Sequence, residues 1–174
     1  MISSVLGGMP MFWPGLLLSL VPAALWNRPV GRLLRAHWAV GFVLLLGGCG
    51  VVAATLLPEA FRLVDGGARH CAVAVGRLWP ADEPPHGGRL WLRAAPYVPV
   101  GLAAALAGTR RRAAVALLGA AVLPFAVSAV QYAVPALGRA CDVRDVRDGV
   151  RAVALGAVLG VAARPLVRAR LRAG

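Results

Sequence analysis

Lysine is absent: all 19 basic residues are arginine, against 7 acids, for a formal net charge of +12 and a pI near 11.7. In a soluble chain that imbalance would point to nucleic acid. Here the arginines sit in short runs between apolar stretches and not on one polar face, so no nucleic-acid partner is expected. The missing lysine, with the Ala and Gly bias, is read as coding bias towards GC-rich DNA and not as mechanism. No arginine precedes Arg28. The first apolar stretch therefore lacks the basic n-region of a cleavable signal peptide and is expected to stay as a span.

Histidine and cysteine are also scarce, with three of each. His37, His70 and His86 form no i,i+4 pair and no His-Glu-x-x-His, which excludes an intramembrane zinc protease of that pattern. His70 beside Cys71 reads as an interfacial polar pair, so neither metal nor cofactor is expected. There is no nucleophile and base set and no phosphate-cradling glycine loop to carry an enzymatic reaction. The run Asp65-Gly-Gly-Ala-Arg69 differs in spacing from the Asp-Gly-x-x-Ala-Arg signature of phospholipid head-group transferases and lacks its further aspartates. No internal repeat has the length that an inverted-repeat transporter requires.

What the chain has in plenty is apolar residues. At 59% hydrophobic and a mean hydropathy of +0.72, its 174 residues are too apolar for a water-soluble domain of this size. The fold class expected is an all-α polytopic membrane helix bundle forming one domain over 1–174, in the cell membrane. Five apolar segments approach the ~20 residues that a hydrocarbon core of ~30 Å requires, at about 5–26, 37–58, 90–108, 113–135 and 146–166. Pro10, Pro14 and Pro22 predict that the first is kinked or only partly helical. Between the second and third lies an outer connection, about 59–89, with a short apolar patch at 71–76 that is too short to span and with Trp79 as an interfacial anchor.

Arginine placement predicts the orientation. The flank 27–36, the loop at 110–112 and the tail from Arg164 carry 10 arginines and no acid; the opposite side carries 9 arginines and all 7 acids. The positive-inside rule then puts the N-terminus out and the C-terminus in the cytoplasm, with 131–148 on the outer face.

That outer stretch, Gln131 to Gly149 and the apolar segment after it, organises the remaining expectations. At helical spacing Asp142, Asp145, Gly149, Ala152, Gly156 and Gly160 share one face, with carboxylates at the top and a groove of small residues below. Such a groove lets another helix approach closely in lipid. Arg144, Arg147 and Arg151 form a second stripe with Asp148 in reach of Arg144 and Arg151. Arg93, Gln131, Arg139, Asp142 and Asp145 fall near the outer surface on three helix ends, either as an ion-paired clasp or as a polar pocket for an envelope component. Cys71 and Cys141 lie on the predicted outer face with Cys49 inside the second span, the pattern an outer disulfide would leave.

The same stretch resembles the VanZ-like family of small membrane proteins. That family carries Glu-x-x-Gln near the end of one span, then Arg-x-x-Asp-x-x-Asp-x-x-x-Asn-x-x-Gly-x-x-x-Gly leading into the next. Gln131, Arg139, Asp142, Asp145 and Gly156 stand at the matching positions without a gap from Arg139 onward. The earlier family element Asn-x-x-x-Phe-x-Pro-x-Gly is similar to Arg93-Ala-Ala-Pro-Tyr97-Val-Pro99-Val-Gly101, so the resemblance covers about 90–163. Four positions depart: Ser128 for the Glu, Gly149 for the Asn, Ala152 for the first Gly and Arg93 for the early Asn. The resemblance implies a cell-envelope protein associated with teicoplanin-type glycopeptide resistance, contacting membrane lipids and an anionic lipid or wall precursor. It implies no reaction. The alternative expectation is a structural subunit whose groove seats a membrane protein partner.

The predicted sidedness has a direct check. A cysteine introduced for Asp142 should react with an impermeant maleimide applied to whole cells, whereas one introduced for Arg170 should react only after permeabilisation; labelling of both from the same side would overturn the orientation.

Overall fold

The computed structural model describes residues 12–56, 71–72, 94–134 and 141–173. Among them are five helices: α1 (Phe12–Leu34), α2 (Trp38–Leu56), α3 (Tyr97–Ala105), α4 (Arg110–Ala133) and α5 (Val143–Ala173). Two two-residue strands, β1 (Cys71–Ala72) and β2 (Cys141–Asp142), pair in parallel. The chain is therefore all-helical apart from that one short pairing. By length and apolar composition α4 and residues Val143–Val167 of α5 can each cross a membrane; a third crossing is counted if α1 and α2, bent by 118° at their junction, form one span.

Much of the outward surface of the helices is apolar: Leu18 is 70% exposed, Leu118 66% and Leu166 71%. Water would not tolerate contiguous apolar faces of this extent, whereas lipid tails solvate them. Membrane localisation follows from the same helices.

The first helix differs from the expected segment 5–26. It continues through Asn27, Arg28 and Pro29 to Leu34, with Pro22 and Pro29 inside it. Part of what sets its end is local. Arg35 takes φ 49°, its N–H donates to Arg32 O at 3.0 Å, and the Ala36 N–H donates to Gly31 O at 2.9 Å. That is the Schellman pattern, with arginine at the left-handed position usually held by glycine. The chain then doubles back, and Gly41 of α2 meets the backbone of Asn27 and Gly31 so closely that no side chain fits between.

Of the expected third segment, 90–108, residues 90–93 lie outside the described set, and among the described residues its long helix covers Tyr97–Ala105, rising about 14 Å, half a hydrocarbon core. Pro96 caps it and Pro99 occupies its third position, where no N–H is needed. α3 is nevertheless central. Ala103, Ala104 and Ala105 are wholly buried, and Tyr97, Val100 and Ala104 join Val51 of α2, Val127 of α4 and Val153 of α5 in one core.

The seat of α3 is the small-residue face of α5. Gly101 faces the Val153 carbonyl and Gly156 faces the Val98 carbonyl, both too close for a Cβ. A Cβ at Gly160 would stand 2.6 Å from Leu102 O and 2.8 Å from Ala105 Cβ, and Ala152 is buried beside them. At the top of the same face a Cβ at Gly149 would lie 2.9 Å from Pro124 Cγ of α4 and 3.4 Å from the Tyr97 ring. The groove therefore receives a helix of its own chain.

All three arginine-rich segments meet at one end of this bundle. The Gly108 N–H donates to Leu34 O at 2.9 Å, the Arg112 guanidinium donates to Leu33 O, and Arg164 donates to Ala105 O through Nε at 2.9 Å and Nη2 at 2.6 Å. Each acceptor is a carbonyl at a helix C-terminus with no partner further along its helix, and a cation there also meets the negative end of the dipole.

Three substitutions separate these devices. Gly156→Leu should cost at least about 3 kcal/mol through overpacking against α3, while Gly119→Leu, facing open space, leaves the thermal unfolding midpoint in mild detergent unchanged. Arg35→Gly should raise stability by about 1 kcal/mol by relieving the left-handed backbone.

Candidate functional site

Opposite the arginine end, α2 and α4 finish while α3 and α5 begin. The carbonyls of the last turn of α2 need donors, and α4 supplies one: Gln131 Nε2 donates to Thr55 O at 3.1 Å. This bond fixes the orientation of the amide, because only its nitrogen can face a carbonyl. Gln131 is 6% exposed, and its Oε1 is buried with no hydrogen-bond partner among the described residues. A buried acceptor left unpaired costs about 1–3 kcal/mol, so a ligand donor that reached it would recover part of that cost. Ser128, one turn earlier on the same helix, is also buried.

Tyr97 forms the second element. Its ring is buried in the core against Gly149, and the Asp145 carboxylate is near enough to act electrostatically on its hydroxyl. Only a glycine at 149 admits both this ring and Pro124, so the bare position fixes how the starts of α3 and α5 meet.

Asp148 forms the third. Arg147 Nε lies 3.2 Å and Arg151 Nη1 3.4 Å from its Oδ1. These pairs are partly exposed and contribute about 1 kcal/mol or less, holding the arginine stripe in place more than stabilising the fold.

The level of each group follows from the contact of Pro124 with Gly149. α4 and α5 run antiparallel, since both Arg112 and Arg164 lie at the arginine end. Counting four residues from that contact along each helix brings Ser128 level with Asp145, and seven brings Gln131 level with the very start of α5, where Asp142 of β2 adjoins it. The packing of α4 against β2 agrees with this register. The structure therefore gathers Gln131, Asp142 and Asp145 at one end of the bundle. Asp142 is described in its backbone only, and Arg93 and Arg139 lie outside the described residues.

Gly149, Ala152, Gly156 and Gly160 take no part in the polar cluster beyond placing Tyr97. The Cys71 and Cys141 backbones are opposite partners in the β1–β2 pairing, and Cys49 is a free thiol in α2. Among the described residues no three His, Cys, Asp or Glu side chains gather as a metal site.

Sequence patterns did not point to Thr55, whose role is played by its carbonyl, or to Arg112 and Arg164 as caps. A backbone acceptor leaves no trace in residue identity. The caps could have been found only by knowing which helix ends lie beside them.

The Gln131 amide has a measurable signature. Gln131→Glu sets an acceptor against the Thr55 carbonyl and should lower stability by about 2–3 kcal/mol, while Gln131→Leu, which also removes the unpaired oxygen, should cost about half of that. Equal losses in detergent unfolding would show that the amide is not engaged as described. Compared with protein-family models, curated proteins and solved structures, the chain matches none of them.

Proposed function

We propose that the protein is a VanZ-like integral membrane protein of the bacterial cell envelope. Its acid-bearing end faces outward and binds a lipid or wall precursor, and it thereby modulates susceptibility to teicoplanin-type glycopeptides. In this reading α1, α2, the segment 90–108, α4 and α5 make five crossings, with the N-terminus out and the C-terminus in. The observation that carries it is the division of charge. Three arginine-rich segments gather at one end, and Gln131, Asp145 and Asp148 mark the other. The positive-inside rule converts that division into an orientation.

Roles follow from chemistry. Arg139 contacts an anionic group such as a phosphate, bidentately where geometry permits. Asp142 and Asp145 position that group or accept from a cationic part of the same ligand. The Gln131 Oε1, without a partner among the described residues, accepts one further donor. Arg93, in the segment before α3, adds a second positive charge. No group here is assigned a catalytic step.

The alternative, a subunit that seats a partner helix in its small-residue groove, has lost its vacant seat: α3 occupies that groove. A partner would have to meet the outer faces of α4 or α5 instead.

The test uses the purified full chain. Native mass spectrometry of wild type should show a co-purifying lipid or precursor, and Arg139→Ala should weaken it by about 10- to 100-fold, the loss of one charge-assisted hydrogen bond. In a strain whose glycopeptide tolerance depends on this protein, Arg139→Ala and Asp142→Ala should move susceptibility towards that of the deletion. Unchanged binding and susceptibility in both variants would sink the proposal.

A further inference from the structure

We infer that Cys71 and Cys141 are joined as a cystine that ties the connection between α2 and α3 to the first residues of α5. The parallel pairing sets Cys71 directly opposite Cys141, and Ala72 opposite Asp142. Neighbouring strands lie about 4.8 Å apart, within the Cα separation of about 4.4–6.8 Å that a disulfide spans. Opposite positions of a ladder also fall on the same face, so register and Cα separation agree, and closing the bond needs the Cβ atoms to approach further, to about 3.8 Å. Sequence spacing alone could not supply either one.

The pairing itself calls for such a bond. Each strand is two residues long, and an isolated ladder of that length does not hold two segments together in water. Residues 71 and 141 are far apart in the chain, so the ladder must also offset the entropy of closing a long loop. A covalent link offsets that entropy without a longer sheet. The third cysteine, Cys49, sits within α2 as a free thiol, leaving these two to pair.

The chemistry balances with one co-reactant, an exported disulfide-bearing thiol oxidoreductase. One cysteine thiolate attacks the oxidant's disulfide, forming a mixed disulfide and releasing one of the oxidant's sulfurs as thiolate. The second cysteine thiolate then displaces the oxidant's other sulfur. Two protons and two electrons leave the chain, and the oxidant departs as a dithiol. The source of that oxidant rests on the outward orientation proposed above, whereas the register does not. Because Asp142 follows Cys141 directly, the link also fixes the backbone on which a proposed binding carboxylate stands.

The experiment takes full-length protein from cells quenched with N-ethylmaleimide and maps its peptides without reduction. The expected result is one cross-linked pair containing Cys71 and Cys141, with Cys49 alkylated or unmodified but unlinked. In Cys71→Ser the Cys141 thiol, and in Cys141→Ser the Cys71 thiol, should become labelled. Alkylation of both cysteines in wild type without reductant, or a link from either to Cys49 or to another chain, overturns the inference. A parallel arm reduces intact cells and adds an impermeant maleimide. Unlinked cysteines that label there refute the cystine and leave the orientation standing, while a linked pair that labels only after permeabilisation supports the cystine and refutes the orientation.

Discussion

The backbone of α3 rests directly on the backbone of α5, through Gly101 at Val153 and Gly156 at Val98. In lipid there is no hydrophobic gain from bringing two helices together, so van der Waals contact and hydrogen bonding must supply the attraction. Both require the axes to come close. A nine-residue helix forms few internal hydrogen bonds and is marginal by itself. Its position is therefore a property of the groove, and the groove is a property of four small residues spaced along one face of α5. Once α3 is seated, Tyr97 is carried to the acid end, and the Ala105 carbonyl is carried to the guanidinium of Arg164.

The arginines at the other end serve two purposes that are commonly discussed separately. As flanking charge they bias which side of the bilayer a segment occupies. As side chains with several donors they satisfy carbonyls at the ends of α1 and α3. The two roles reinforce each other, because a helix end that must keep its cap cannot be drawn into hydrocarbon without it. This explains how α1 can keep two prolines and a left-handed arginine at its end and still stop at a defined residue: its last carbonyls are held by Arg112 and by the Gly108 N–H of the α3–α4 turn.

The parts of this arrangement that were legible in the sequence are those carried by periodicity within one segment. The apolar run 37–58 is α2, Trp38–Leu56. The recurrence of small residues from Gly149 to Gly160 is the packing face of α5, and the i,i+3 spacing of Asp148 and Arg151 is an ion pair. What was not legible depends on partners distant in the chain. The arginines and prolines after residue 26 look like a loop, yet α1 passes through them because its end is stabilised from α4. The segment 90–108 looks like a span by composition, but among its described residues two prolines and the turn at Leu106–Thr109 bound the helix Tyr97–Ala105. The helix that fills the groove could not be named from spacing, since a small-residue stripe invites any helix and only the assembled chain shows which one arrives.

The departures from the VanZ-like pattern can be weighed on the same packing. At position 149 glycine stands where the VanZ-like pattern has asparagine, and a Cβ there would stand 2.9 Å from Pro124 Cγ, so a side chain at 149 requires Pro124 of α4 to shift. At position 128, level with Asp145, a serine stands where the VanZ-like pattern has glutamate. Ser128 is buried whereas Asp145 is half-buried, so a carboxylate at 128 would carry a desolvation cost that Asp145 does not. Pro124, Gly149 and the Tyr97 ring thus close the seam between α4 and α5, and the Gln131 amide lies buried at its upper edge, bound to the Thr55 carbonyl.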